Sequence, residues 1–254
     1  MATVDPTTPA GFKKLDLHIH TRFSLCYIDH LKPEANLHTT PAQILQAALD
    51  AGLDGMAVTD HNGGEVIDEM RELARGSGIT IFPGTEISTR GGHCLAIFDV
   101  DTDVDVIRDL MLALGLGPEK WGNGFVATDR WMDEVFEEIA RRGGVAIGAH
   151  VDREPRGFLA SDERPSDKQR IYQHPDLLAL EITDPARKAR YTAGADPRYR
   201  QPRACIQNSD AHAPHEVGRR PTFLRMDQVN LTALRNAVAD FRRSVLFPEE
   251  LPAE

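Results

Sequence analysis

The chain is poor in the residues that mark several common classes. Aromatics make up 6% of its 254 residues, and tryptophan occurs twice. So thin a supply gives no visible groove for stacking a nucleic-acid strand. There are three cysteines, Cys26, Cys94 and Cys205. An odd number cannot pair completely within one chain, which argues against a disulfide framework and for a reducing, cytoplasmic setting. Cys94 and Cys205 lie in apolar runs and read as small core residues. No apolar run approaches the roughly 18 residues of a membrane span, so no membrane partner is expected. Met1 to Gly11 is rich in Thr, Pro and Ala and has no basic stretch before an apolar core. It reads as a flexible lead-in and not as a signal peptide. Basic residues are also in deficit, 29 against 39 acids, for a net charge of −10. That balance argues against an extended nucleic-acid surface. It does not exclude an anionic substrate where bound metal ions would reverse the local charge.

What the chain does have is an alternation of strand-like and helix-like runs. The apolar runs are 15–19, 55–59, 79–82, 94–98, 145–149, 177–182 and 204–207, with 223–226 a further possible strand. Thr40-Pro41 is an N-cap followed by a first-turn proline, and Gly52 can end that helix, whose face carries Ile44, Leu45, Ala48 and Leu49. A second helix is expected over 65–75 with Val66, Met70, Leu73 and Ala74 inward. A third starts near Thr128, and a fourth follows Asn230. Repeated βα units predict an α/β fold with a mainly parallel sheet and helices outside. The domain expected is one unit over 14–247, with flexible ends at 1–13 and 248–254. Two stretches break the rhythm after strands and are candidate loops over the mouth: 101–127, with room for a short helix before Trp121-Gly122-Asn123-Gly124, and 152–175, dense in charge and proline.

Histidines and acids punctuate the ends of these runs. In Asp16-Leu17-His18-Ile19-His20 the alternation of a strand puts both imidazoles on one face with Asp16. Taken alone, the trio fits a polar face on an edge strand equally well. Asp60-His61 closes a second run, with His61 the expected ligand and Asp60 its support. Glu86 follows a third; a carboxylate there must be exposed, paired or metal-bound, and it can bridge two ions. A lone Glu would ordinarily be a surface residue. His93 opens a strand, a place where a histidine is most often structural. His150 ends a strand of small residues. Asp210 and His212, two apart, form a further pair. Imidazoles and carboxylates after at least five strands favour a barrel, whose strand ends converge on one mouth, and a multinuclear metal site there. His30, His38, His174 and His215 lack such contexts and read as loop histidines.

These residues, in this order, resemble the PHP family, named for polymerase and histidinol phosphatase. The marks are Asp16-Leu17-His18-Ile19-His20-Thr21, Val58-Thr59-Asp60-His61, Pro83-Gly84-Thr85-Glu86-Ile87, His93, His150 and Asn208-Ser209-Asp210-Ala211-His212, spread over most of the chain. The resemblance implies a distorted TIM-like (β/α)7 barrel with its metal site at the C-terminal ends of the strands. It implies two or three divalent ions (Zn, Mn or Fe) and hydrolysis of a phosphoester by water that the metals activate. By position, His18, His20, Glu86 and Asp210 would hold one ion, Glu86, His93 and His150 a second, and His61 and His212 would help hold a third. Many relatives place Asp or His shortly after the His-x-His pair. Here the region reads Thr21-Arg22-Phe23-Ser24-Leu25-Cys26, in which Cys26 is the one alternative ligand, as a zinc-favouring thiolate.

The leading functional expectation is an enzyme acting on a phosphorylated small molecule or nucleotide. Asp210, His212 or a metal-bound water would handle the leaving-group proton. Of the arginines that follow ligand positions (Arg22, Arg90, Arg153, Arg156 and Arg219), Arg219 is the favoured phosphate contact. The competing readings are a nuclease acting on single-stranded ends and a metal-stabilised interaction module without turnover. The loops 101–127 and 152–175 are expected to set substrate choice.

Overall fold

A computed structural model describes residues 8–29 and 38–251. Most of the expected lead-in, His30, and the last three residues of the expected tail lie outside the described residues.

Nine strands form one curved sheet in the order β7-β6-β5-β4-β3-β2-β1-β8-β9. They are β1 (Phe12–Ile19), β2 (Gly55–Val58), β3 (Thr80–Thr89), β4 (Gly92–Ile97), β5 (Val145–Gly148), β6 (Leu177–Glu181), β7 (Cys205–Ile206), β8 (Thr222–Arg225) and β9 (Val245–Leu246). The first seven wrap round until the segment after β7 returns to β1. There His20 N–H donates to the Ala211 carbonyl at 3.0 Å, and Leu17 N–H donates to Asn208 Oδ1 at 2.8 Å. Lower down, β8 pairs antiparallel with the first half of β1, from Phe12 opposite Arg225 to Leu15 opposite Thr222. The gap between β7 and β1 is thus bridged at the mouth and wedged at the base, which gives a nearly closed, distorted TIM-like barrel.

The distortion has a definite origin. β3 runs on past Pro83-Gly84 to Thr89 and turns straight back into β4, pairing Glu86 with Leu95 and Ser88 with His93. Hence β4 is antiparallel to both β3 and β5, while β1-β2-β3 and β5-β6-β7 are parallel. Gly92 completes the turn with φ of 149°, and a Cβ there would meet the Arg156 carbonyl oxygen at 2.6 Å. Only glycine suits that combination.

Helices cover the outer face. Pro41–Asp50 is entered through a reciprocal box in which Gln43 N–H donates to Thr40 Oγ1 and Thr40 N–H donates to Gln43 Oε1. Ile67–Ala74 buries Ile67, Met70 and Ala74. That 3, 4 spacing rotates the apolar stripe away from Leu73, which is 40% exposed although the sequence pattern placed it inward. Leu49 is turned out for the same reason. Met132–Arg141 and Leu231–Ala239 follow Trp131 and Asn230, the latter capping Ala233 N–H with its side chain. Both remaining cysteines, Cys94 and Cys205, are free and fully buried in the core. No described helix is long and apolar enough to cross a membrane.

Candidate metal centre

The strand ends deliver their histidines and acids to one point. His18 and His20 leave β1 on the same face, and their Nε2 atoms approach to 3.1 Å. Glu86 Oε2 stands 3.3 Å from His18 Nε2 and 3.2 Å from His20 Nε2. Asp210 Oδ1 stands 3.2 and 3.3 Å from the same two nitrogens. A tetrahedron with vertices about 2.0–2.1 Å from its centre has edges of about 3.3 Å. Five of the six edges of this quartet therefore have the length that a four-coordinate cation requires. All four residues sit at the mouth, and the two histidines and Glu86 are fully buried.

Glu86 turns its other oxygen toward a second group. Oε1 lies 2.8 Å from His93 Nδ1 and 2.9 Å from His150 Nε2. Oε2 also lies 3.2 Å from His61 Nδ1, yet that buried nitrogen makes no hydrogen bond in this geometry. A nitrogen lone pair facing a carboxylate oxygen without a proton properly placed between them fits a position that awaits a cation. His93 reaches this group because β4 runs backward: the start of an antiparallel strand lies at the same end as the finishes of its neighbours. A third group joins His20, Cys26 and His212, with Cys26 Sγ 3.0 Å from His212 Nε2. Thus His20, and not His61, is the residue grouped with His212, while His61 sits with Glu86 and His93.

Supporting contacts hold two of the rings, His20 and His93, from a second side. His20 Nδ1 is 3.1 Å from Ser24 Oγ, which donates to Asp60 Oδ1 at 2.6 Å. Asp60 also accepts from Thr21 N–H and hydroxyl. Asp16 does not enter the cluster; it accepts from Ser209 N–H and Gly218 N–H and so pins the segment that carries Asp210. His93 Nε2 meets Ser88 Oγ at 3.2 Å. Asp210 and His150 both have left-handed backbones, with φ of 50° and 29°. Non-glycine residues hold such angles at a cost of about 1–3 kcal/mol, and they concentrate at working sites.

Electrostatics follow from this crowding. Burial by itself would depress the His18 pKa, but Glu181, Asp210 and Glu86 together outweigh it and hold it well above the usual value. His20 is likewise raised to about 9, against its burial, by Asp210 and Glu86. Burial opposes charge on Glu86 and Asp210 too, yet the surrounding imidazoles hold both carboxyls well below their ordinary range. Burial and the neighbouring His20 push His212 down to about 3. Burial also pushes the Cys26 thiol up. A cation takes imidazole in its neutral form, so binding at the first quartet competes with protons for His18 and His20.

Glu181 was missed in the sequence. It ends β6, is 2% exposed, and holds His18 Nδ1 at 2.9 Å through Oε2. The available signal was a carboxylate closing an apolar strand, the same signal that singled out Glu86. A carboxylate behind a metal-facing imidazole fixes the ring and raises its basicity. Glu181→Gln is expected to weaken metal binding by about 10- to 100-fold. Chelator-competition titration measures this, and an unchanged affinity would remove Glu181 from the support of His18.

The cluster floors a cavity of about 500 Å³. Its rim comes from residues 124–125, 153–156 and 216–219, so both expected loop regions reach it. Arg219 is on the rim, tied to Glu216 Oε1 at 2.9 Å and to the Ser209 carbonyl. Arg153 stands nearer the cluster, donating to Asp210 Oδ2 at 2.5 Å. Arg90 instead stacks on Trp131, and Arg22 is exposed. His38 and His215 are exposed, and His174 lies 3.6 Å from Glu137, well apart from the cluster.

No family model matches the chain. Its overall architecture is similar to that of several solved structures. Endonuclease Q from Pyrococcus furiosus, a lesion-specific endonuclease, superposes with a TM-score of 0.64 at 19% identity, covering 90% of this chain and 56% of that one. A two-domain protein from Bacteroides vulgatus containing a predicted PHP-like metal-dependent phosphoesterase gives 0.62 at 20% identity, covering 99% of this chain and 68% of that one. A candidate metal-dependent phosphoesterase from Bifidobacterium adolescentis gives 0.59 at 19%, covering 91% and 97%. The fold is therefore that of the PHP-type barrels, as the sequence resemblance implied. Within that class the chain belongs to the same family as MJ1587, an uncharacterized protein of Methanocaldococcus jannaschii. The two are 30% identical over 138 residues, 54% of this chain and 67% of that one. The chain spans little more than half the length of endonuclease Q.

Proposed function

We propose that this chain is a metal-dependent phosphoesterase. The observation that carries the reading is the quartet of His18, His20, Glu86 and Asp210, in which five of the six pairs of ligand atoms stand 3.1–3.3 Å apart. Its donor set of imidazole and carboxylate suits Zn, Mn or Fe(II). His93 and His150, with His61 alongside, would hold a second ion through the other oxygen of Glu86. Cys26 and His212, beside His20, would help hold a third. Divalent ions there supply a Lewis acid for phosphoryl oxygens and lower the pKa of attacking water.

The chain's own residues supply the rest. Arg153 and Arg219 offer planar donor pairs at the rim for phosphoryl oxygens. Arg153 stands closer and would make the nearer contact, with Arg219 behind it. Asp210 and His212 face the cavity and are placed to pass a proton to the leaving oxygen. The substrate proposed is a phosphorylated small molecule or nucleotide. A nuclease reading stands beside it, supported by the likeness to endonuclease Q.

The test is a substrate panel of phosphomonoesters, nucleotides and single-stranded DNA, run on protein loaded separately with Zn²⁺, Mn²⁺ and Fe²⁺. Hydrolysis of at least one class is expected, with loss on chelation and return on metal addition. If every substrate stays intact with every metal, the esterase reading fails and a metal-stabilised interaction module replaces it.

A further inference from the structure

Phe125 is the most exposed large hydrophobic side chain among the described residues, at 68%, and it stands on the rim of the metal cavity. Single exposed apolar residues are ordinary and need no purpose. This one differs in how it is held. Gly122 N–H donates to the His61 carbonyl at 2.8 Å, and the Asn62 side chain donates to the Asn123 and Val126 carbonyls at 2.9 Å. Ser88 Oγ donates to the Gly124 carbonyl at 2.8 Å, and Thr128 N–H donates to the Ser88 carbonyl. The loop is stapled on both sides of Phe125 to residues that themselves touch candidate ligands. Gly124 lies so close over His61 that a Cβ would fall 2.5 Å from its ring. The backbone that carries this exposed aromatic side chain is thus fixed at the cavity edge, next to Gly124, which lies over His61.

The nearest cation completes the arrangement. Arg156 lies with its guanidinium carbon 5.8 Å from the Phe125 ring centroid and also lines the cavity. Arg153 is engaged by Asp210, and Arg219 by Glu216. Arg156 makes no ion pair among the described residues, although Glu154 shares the rim. An exposed ring on an anchored loop, with a guanidinium over it that has no ion-pair partner among the described residues, offers aromatic and planar cationic surface to one incoming group.

We infer that Phe125 and Arg156 form a stacking platform for an unpaired nucleobase, so that the phosphoester cleaved here is carried by a nucleotide unit and not by a bare sugar or polyol phosphate. This rests on the phosphoesterase reading for the reaction but not for the binding. Stacking is sequence-tolerant because every base has a π-face, so the platform selects for the presence of a base and not for its identity. A free nucleotide and a single-stranded end offer the same chemistry.

The experiment uses metal-loaded protein and two probes, 2-aminopurine ribonucleoside 5′-monophosphate and a single-stranded trinucleotide with terminal 2-aminopurine. Stacking quenches their fluorescence. Saturable quenching is expected, with Phe125→Ala weakening binding about tenfold and Phe125→Trp restoring it. The probe bound more tightly identifies the source of the base. In parallel, the kcat/KM ratio of a nucleoside monophosphate over ribose 5-phosphate is expected to fall about tenfold in Phe125→Ala. Absence of saturable quenching with both probes, or a Phe125→Ala protein that binds them as wild type does, overturns the platform. Quenching without any hydrolysis would instead sink the esterase reading and leave the platform standing.

Discussion

Replacing His18 and His20 together with alanine will abolish phosphoester hydrolysis and empty the first metal position. The two Nε2 atoms supply half of the quartet, and each lies within 3.3 Å of both carboxylate partners. Without them Glu86 keeps His61, His93 and His150 and Asp210 keeps Arg153, but the two nitrogens that complete the quartet are gone. A loss of at least about a thousandfold in kcat/KM is expected, the scale on which electrostatic stabilisation of a transition state operates. Metal analysis should fall in parallel by at least one ion per chain. The fold should persist, because the core lies on the opposite faces of the strands, with Leu15, Leu17 and Ile19 on the outward side of β1. Circular dichroism separates that outcome from unfolding. A folded double variant with wild-type turnover would show that the quartet does not serve the reaction.

The second large effect concerns stability and lies away from the metal cluster. Arg203 is 8% exposed, and its guanidinium donates to three backbone carbonyls: Tyr172 at 2.9 Å, His174 at 2.8 Å and Leu177 at 2.9 Å. Two of these belong to the end of the helix Pro165–Gln173 and the third to the start of β6. Helix ends leave carbonyls without intrahelical partners, and a cation there also meets the negative end of the helix dipole. Burial lowers the Arg203 pKa, yet a guanidinium keeps its proton, so the donors remain. Arg203→Met preserves the packing of the stem and strands three acceptors. Stranded buried acceptors cost about 1–3 kcal/mol each before relaxation, so a net loss of about 3 kcal/mol is expected. In a domain of this size that lowers Tm by on the order of 10 °C. Urea unfolding and calorimetry measure it. Arg203→Lys should recover less than half, since an ammonium cannot span three divergent carbonyls. A Met variant within 1 kcal/mol of wild type would show that water replaces the guanidinium freely.

Much of the site was legible in the chain because its signals are local. The alternation of a strand puts Asp16, His18 and His20 on one face wherever that strand goes. The position of Glu86 after an apolar run left it exposed, paired or metal-bound, and its two oxygens in fact face two different histidine groups. Glu181 carries the same local mark, a carboxylate closing an apolar run, but its partner His18 lies 163 residues away and is chosen by the fold. Arg153 gives a third lesson. Five arginines followed ligand positions, and spacing alone favoured Arg219, but a loop decides which of them bends back to Asp210.

The alternation of strand-like and helix-like runs, and the histidines and acids that follow the strand-like ones, were written in residue type and periodicity. What the tertiary structure alone decided was direction and company. The reversal of β4 brings His93 to the mouth, where a parallel strand would have left it at the base. The stapled loop at 122–128 puts an exposed ring beside the cavity in a chain with few aromatics. Both outcomes depend on contacts between segments far apart in sequence, whose energies are set by packing and hydrogen bonding across the barrel and leave no periodic trace along the chain.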